Sequence, residues 1–159
     1  MKEIRGDLIK LANEGKFDVI IHGCNCMCTM GAGIAKAIKQ KWPVVYIVDK
    51  KTNKGDIRKL GTYSYAVIHR EGFDTDLTIV NAYTQYKYGR DRPHVDYIAI
   101  QKVFQEIKRN FSGKRIAYPK IGAGLAGGDW KKIKEIIDTE LKGEDHTLVI
   151  LDRYNNKNW

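Results

Sequence analysis

At 159 residues the chain is long enough for one domain with a sizeable core and too short for two. Its 43% hydrophobic and 30% charged content is ordinary for a soluble globular protein. No apolar run approaches the ~20 residues of a membrane span, and MKEIRGDLIK has no signal-peptide core, so a cytoplasmic address is expected and no membrane partner is. The formal charge of +9 would suit an anionic ligand or a nucleic acid. The lysines are scattered, however, and no run of five like charges marks a binding arm.

In chain order, residues 2–5 suit a first strand, with Gly6-Asp7 turning into a short helix carried by Leu8, Ile9, Leu11 and Ala12. Residues 18–21 read as a buried strand, ended by His22-Gly23 and followed by a small-residue loop. Gly31-Ala32-Gly33 opens a helix that runs to about Trp42, and Pro43 can begin the next one. Residues 52–61 read largely as loop. Residues 62–68 and 77–82 read as strands joined by a hairpin-sized connection. A long polar and aromatic loop occupies residues 83–93. Apolar spacing from Val95 to Phe111 predicts an amphipathic helix over 94–111. A strand follows at 115–118, then a second glycine loop, a helix striped by Trp130, Ile133, Ile137 and Leu141, and a last strand at 147–151. Residues 155–159 read as a frayed tail beyond a single domain of residues 1–154.

Strands alternating with helices imply an α/β fold, a three-layer α/β/α arrangement whose central sheet is mixed because of the hairpin. In such sheets ligands lie at the carboxyl ends of strands. Both glycine loops, after residues 18–21 and after 115–118, sit there, each before a helix. Unpaired first-turn N–H groups, the positive end of the helix dipole and missing side chains make such a turn an anion site. Two of them can close over one extended anionic ligand. Cys24, Cys26 and Cys28 alternate too closely for a disulfide framework and lack the spacing of a zinc site. They read as reduced cysteines lining a loop.

Four motifs in order resemble the macrodomain, the ADP-ribose-binding module. They are Gly6-Asp7-Leu8, His22-Gly23-Cys24-Asn25, Gly31-Ala32-Gly33-Ile34-Ala35 and Ile121-Gly122-Ala123-Gly124-Leu125-Ala126-Gly127. Within that family the chain looks most like the small stand-alone ADP-ribose-1″-phosphate phosphatases. The resemblance implies that Asp7 accepts the adenine amino group, with the Leu8 backbone beside the ring. It places Asn25 at the distal ribose, and it wraps the diphosphate and that ribose with residues Met30 to Ala35 and Ile121 to Gly127. Gly6, Gly23 and Cys24 complete the expected ligand contacts. The plain alternatives are an N-cap for Asp7, a loop residue for Asn25 and tight turns for the glycines.

For phosphomonoester hydrolysis His22 is the expected acid–base group and Asn25 a group that orients water or a hydroxyl. His22 could equally be a half-buried histidine at a strand end. Asp91 and Asp129 are weaker candidates, and Tyr83, Tyr86 and Tyr88 could cover the adenine or ribose. No metal cluster or cofactor motif is visible, so metal-independent chemistry is expected. The branch that removes ADP-ribose from protein carboxylates carries a lysine and an aspartate where this chain has Gln85 and Ala126. The expected function is thus hydrolysis of ADP-ribose-1″-phosphate to ADP-ribose and phosphate by a monomer. The alternatives are an ADP-ribosyl hydrolase acting on a modified macromolecule and a non-catalytic ADP-ribose reader. A Rossmann dinucleotide oxidoreductase is disfavoured, because no G-x-G-x-x-G follows the first strand.

Overall fold

A computed structural model describes residues 1–89, 91–124 and 126–152. The elements in order are β1 (Lys2–Arg5), α1 (Leu8–Asn13), β2 (Val19–Asn25), α2 (Gly33–Lys41), α3 (Pro43–Lys50), β3 (Tyr63–Ile68), β4 (Leu77–Gln85), α4 (Tyr97–Phe111), β5 (Ile116–Tyr118), α5 (Trp130–Glu140) and β6 (His146–Ile150), with a 3₁₀ turn at Ile57–Lys59. The strands form one mixed sheet in the order β1-β6-β5-β2-β4-β3. Every pairing is parallel except β3 with β4, the expected hairpin.

Strand alternation divides the core in two. Val19, Ile21, Val80, Ala82, Ile116, Tyr118 and Leu148 face α4 and α5, where Ile100, Val103, Phe104, Ile107, Ile133 and Ile137 meet them. Ile20, Leu77, Ile79, Ala117 and Val149, the intervening residues, face α1, α2 and α3 through Leu8, Ala12, Ile38 and Val45. Because successive side chains leave opposite faces of a strand, an apolar run such as Val19-Ile20-Ile21 is what a strand covered on both sides requires.

The structure corrects several boundaries, all near the ligand edge of the sheet. β2 does not stop at His22-Gly23. It continues parallel to β4 as far as Asn25, with a register irregularity between Cys24 and Asn25. β4 likewise runs on through Tyr83, Thr84 and Gln85. The helix expected from Gly31 starts at Gly33, and the one expected from His94 starts at Tyr97 behind Asp96, whose carboxylate accepts from Ala99 N at 2.9 Å. His94 and Asp96 instead tie the chain down, through His94 N to Ala126 O and Asp96 N to Thr84 O. The expected tail at 155–159 and the domain's end at residue 154 lie outside the described residues.

Candidate active site

Five parallel strands end at the same edge, and their carboxyl ends open into one cleft of about 850 Å³. Gly6 and Leu8 after β1, and Val149, Ile150 and Leu151 at the end of β6, wall one end. Gly23, Cys24 and Asn25 of β2 form the floor, and Gln85, Tyr88 and Gly89 wall the far end. The two glycine loops face each other across it: Thr29 and residues 30–35 on one side, Pro119, Lys120 and residues 121–124 with Ala126 on the other. Such a volume lies within the usual range for a site that encloses a small molecule.

The first loop is held hard. Asn25 clamps it, with Oδ1 accepting from Met27 N at 2.8 Å and Nδ2 donating to Thr29 Oγ1 at 2.7 Å. Lys59 Nζ donates to Cys26 O and Tyr46 OH to Cys28 O. These bonds hold two non-glycine residues, Cys28 at φ 55° and Met30 at φ 42°, in the sparsely populated left-handed region. Beneath the loop, buried Asp49 accepts from Tyr83 OH at 2.7 Å. Burial raises the Asp49 pKa against that bond and the nearby Lys59 charge.

The first turn of α2 is an uncapped helix start at the cleft; α3 also lacks a side-chain cap, but it begins with Pro43 behind Trp42 and none of its residues is among the described lining. Helices α1, α4 and α5 are capped by the carboxylates of Asp7, Asp96 and Asp129, and the 3₁₀ turn by Asp56. At α2 the N-cap is Ala32, extended at φ −148°, with no side chain to cap anything. The N–H groups of Gly33, Ile34 and Ala35 precede the first intrahelical bond, and all three residues line the cleft. These unbonded donors and the positive end of the helix dipole therefore lie at the cleft wall.

The second loop satisfies itself. Gly128 N donates to Gly122 O at 2.7 Å, and Gly127 N to Gly124 O at 3.1 Å. A Cβ on Gly128 would lie 2.5 Å from Gly122 O, so only glycine permits that approach. Gly122, at φ +73°, packs over Val95.

Of the expected ligand residues, Gly6, Leu8, Gly23, Cys24, Asn25, Met30, Gly31, Ala32, Gly33, Ile34, Ala35, Ile121, Gly122, Ala123, Gly124 and Ala126 all line this cleft. Asp7 lies between two lining residues, and its Oδ1 accepts from Lys10 N at 3.1 Å as the cap of α1. Gly127 packs on Pro93 instead of lining the cavity. Leu125 lies outside the described residues.

His22 requires correction. It is a strand residue in the core, fully buried and absent from the cleft lining, with Nε2 2.6 Å from Asn81 Oδ1. Desolvation pulls its pKa down to about 4, against the bond to Asn81, so the ring is neutral at physiological pH. A sealed neutral imidazole cannot exchange a proton with a ligand in the cleft. The tyrosines divide as well. Tyr83 is buried against Asp49, Tyr86 OH donates to Gly55 O, and Tyr88 alone of the three lines the cleft, 62% exposed.

The expected ligand contacts leave out Thr29, Gln85, Gly89, Pro119, Lys120 and the β6 end, all of which line the cleft. Among the described lining residues there is no carboxylate and no imidazole. The nearest such pair is Asp91 and His94, joined at 2.9 Å behind Gly89, where a Cβ would sit 2.8 Å from Asp91 Oδ1. Asp129 is occupied as the cap of α5, accepting from Lys131 N at 3.0 Å.

The Macro domain family model matches residues 21–137, most of the chain. An uncharacterized 17.5 kDa protein of Enterobacteria phage T4 is 37% identical over 145 residues, covering 87% of this chain and 88% of its own length. The ADP-ribose 1″-phosphate phosphatase of Aspergillus oryzae is 52% identical, but over only 46 residues, 29% of this chain and 21% of that enzyme. The solved structure of Thermosipho africanus DarTG in complex with ADP-ribose superposes with a TM-score of 0.67 at 18% identity, covering 97% of this chain and 42% of that one. On the family match and the near-full-length phage relative, the chain belongs to the Macro domain family.

Proposed function

We propose that the cleft binds ADP-ribose, with the diphosphate on the first turn of α2, and that the protein hydrolyses ADP-ribose-1″-phosphate to ADP-ribose and phosphate. The observation that carries the binding reading is the bare α2 N-terminus. Its three donors belong to residues that line the cavity, in a chain that caps its other glycine-loop helix with a carboxylate. The adenosine end fits between Leu8 and the β6 end, and the distal ribose fits near Asn25. The solved ADP-ribose complex of a protein of this shape and the short match to a named phosphatase support the same reading.

Hydrolysis requires water to attack phosphorus and the bond from phosphorus to the 1″ oxygen to break. That electron pair stays on the oxygen, which must receive a proton. Asn25, Thr29 and Gln85 are neutral polar groups at that end, suited to orienting water or a phosphate oxygen. For the acid–base role we turn from His22 to the Asp91–His94 pair, which is outside the described lining but adjoins it at Gly89 and is joined at 2.9 Å. Gln85 and Ala126 both line the cleft where the carboxylate-specific branch carries lysine and aspartate, which disfavours that route. A non-catalytic reader is the second reading, favoured by the lack of a carboxylate or imidazole in the described lining.

Calorimetric titration with ADP-ribose, followed by phosphate release from ADP-ribose-1″-phosphate, tests both steps. We expect binding and turnover, with Asp91→Asn and His94→Gln each lowering turnover by about 10²-fold while affinity stays within about threefold. Binding with no turnover in the natural chain would select the reader.

A further inference from the structure

Although the lysines are scattered, the net charge of the chain is uneven. Residues 31–60 hold seven lysines and one arginine against two aspartates, a net +6 of the chain's +9 in under a fifth of its length. Both aspartates are engaged. Asp49 is buried against Tyr83, and Asp56 is held by Arg58 at 2.9 Å. Lys59 is buried beneath the first loop. That leaves Lys36, Lys39 and Lys41 on α2, Lys50 at the end of α3, and Lys51 and Lys54 beyond it. None of these six forms an ion pair with a carboxylate among the described residues. The opposite helical layer differs in its balance of charge, since α4 and α5 carry six basic residues against four acidic ones, a net +2, and there Arg109 pairs with Glu106 and Lys134 with Glu3.

These lysines are also gathered. Lys39 Nζ and Lys50 Nζ, from two helices, stand 4.6 and 4.7 Å from the centroid of one ring, Tyr46, whose hydroxyl is anchored on Cys28 O at 3.0 Å. Each ammonium group is held by the ring and neither is neutralised by a carboxylate among the described residues, so both are open to a bound anion. On the outer surface of α3, Val44 and Ile47 are 41% and 47% exposed, and Ile47 neighbours Lys50 and Lys51 at helical spacing. The unpaired ammonium groups spread from α2 to beyond α3, as a ligand that repeats its charge along a backbone requires. The face adjoins the cleft, since Gly33, Ile34 and Ala35 line the cavity and Lys36 is the next residue of α2.

We propose that the α2–α3 face is a binding surface for the phosphate backbone of a nucleic acid, running beside the cleft. It does not depend on what the cleft holds.

The test is fluorescence anisotropy with a fluorescein-labelled 20-nucleotide single strand, as DNA and as RNA, and with the corresponding duplex, across a salt series. Saturable binding is expected at about 50 mM salt, weakening steeply as salt rises. The triple variant Lys39→Gln, Lys50→Gln, Lys51→Gln should bind about tenfold or more weakly, with its salt slope reduced by about 2. The variant Lys102→Gln, Lys108→Gln, Lys114→Gln removes the same charge from the other layer and should change affinity less than about threefold. Thermal melting checks that both fold, and the single variant Lys50→Gln serves if the triple does not. No binding by the natural chain, equal losses in both triples, or displacement by polyglutamate as effective as by unlabelled oligonucleotide would each overturn the proposal. ADP-ribose titration of the same samples reports on the cleft separately, so either reading can fail alone.

Discussion

The β2–α2 and β5–α5 units share one plan, a buried parallel strand, a glycine-rich loop and a helix, and they treat their backbone donors in opposite ways. In β5–α5 the loop bonds to itself through Gly127 and Gly128, and Asp129 caps the helix with its carboxylate. In β2–α2 the loop is fastened from outside by Asn25, Lys59 and Tyr46, and the helix begins at Gly33 behind Ala32, which has no side chain to cap it. A glycine loop at a strand end is therefore not in itself an anion site. The cap residue decides. On the proposed reading the first unit would supply the donors for a diphosphate and the second a shaped wall.

The largest expected effect comes from placing charge on the wall. A Cβ at Gly124 meets nothing within 4 Å, so Gly124→Glu should fold normally while its carboxylate meets the ligand. ADP-ribose affinity should fall by about 10²-fold or more with little change in Tm, because an unpaired like charge in a site costs several kcal/mol. Unchanged affinity in this folded variant would remove the second loop from the site.

Next is the pH dependence of stability set by His22. Its folded pKa of about 4 lies below its ordinary 6.5. Between those values the unfolded chain takes up a proton that the folded chain refuses, so stability is lost as pH falls through this window, by roughly 3 kcal/mol in all. His22→Gln can keep the bond to Asn81 and should flatten the acid limb in urea unfolding at pH 7 and pH 5. Phosphate release at pH 7 should be unchanged, and a large loss would restore His22 to the chemistry.

A smaller effect tests the wall's own bonding. Gly128→Ala drives a Cβ against Gly122 O at 2.5 Å and Val95 Cγ1 at 2.6 Å. It should cost about 1–3 kcal/mol of stability by overpacking and weaken ADP-ribose only through displacement of the wall. The equivalent addition to the first loop, Gly31→Ala, meets only Thr29 O at 3.9 Å and should leave Tm nearly unchanged.

The layers were legible in the sequence because burial on both faces leaves a plain record. Val19-Ile20-Ile21 is apolar throughout, and the helix over 97–111 carries its stripe at 3.6 spacing. Most of the cleft was legible as well, since glycine loops at strand ends converge in a parallel sheet. What failed lies where a strand crosses from core to site. Gly23 reads as a breaker, but it is a strand residue whose missing Cβ makes room for Thr84 Oγ1, 2.8 Å from where that Cβ would be. The space belongs to a neighbouring strand, so no local pattern shows it, and His22 was assigned to a loop it never enters. Tyr83-Thr84-Gln85 looks like loop for a related reason, because its pairing with β2 is non-local. Val149 to Leu151 become a ligand wall only once β6 is known to lie beside β1. Asp7 has one carboxylate compatible with two tasks, and its bond to Lys10 N establishes the cap.

The most direct test of the central claim is the single variant Ala32→Asp, measured by ADP-ribose calorimetry and thermal unfolding together. Residue 32 already has the extended backbone of an N-cap. A carboxylate there should satisfy the α2 donors, stabilise the fold by about 0.5–2 kcal/mol, and weaken ADP-ribose binding at least about tenfold through competition for the same N–H groups. Higher Tm with lost affinity is the predicted result. Higher Tm with unchanged affinity would show that the diphosphate does not rest on α2, and would contradict the account.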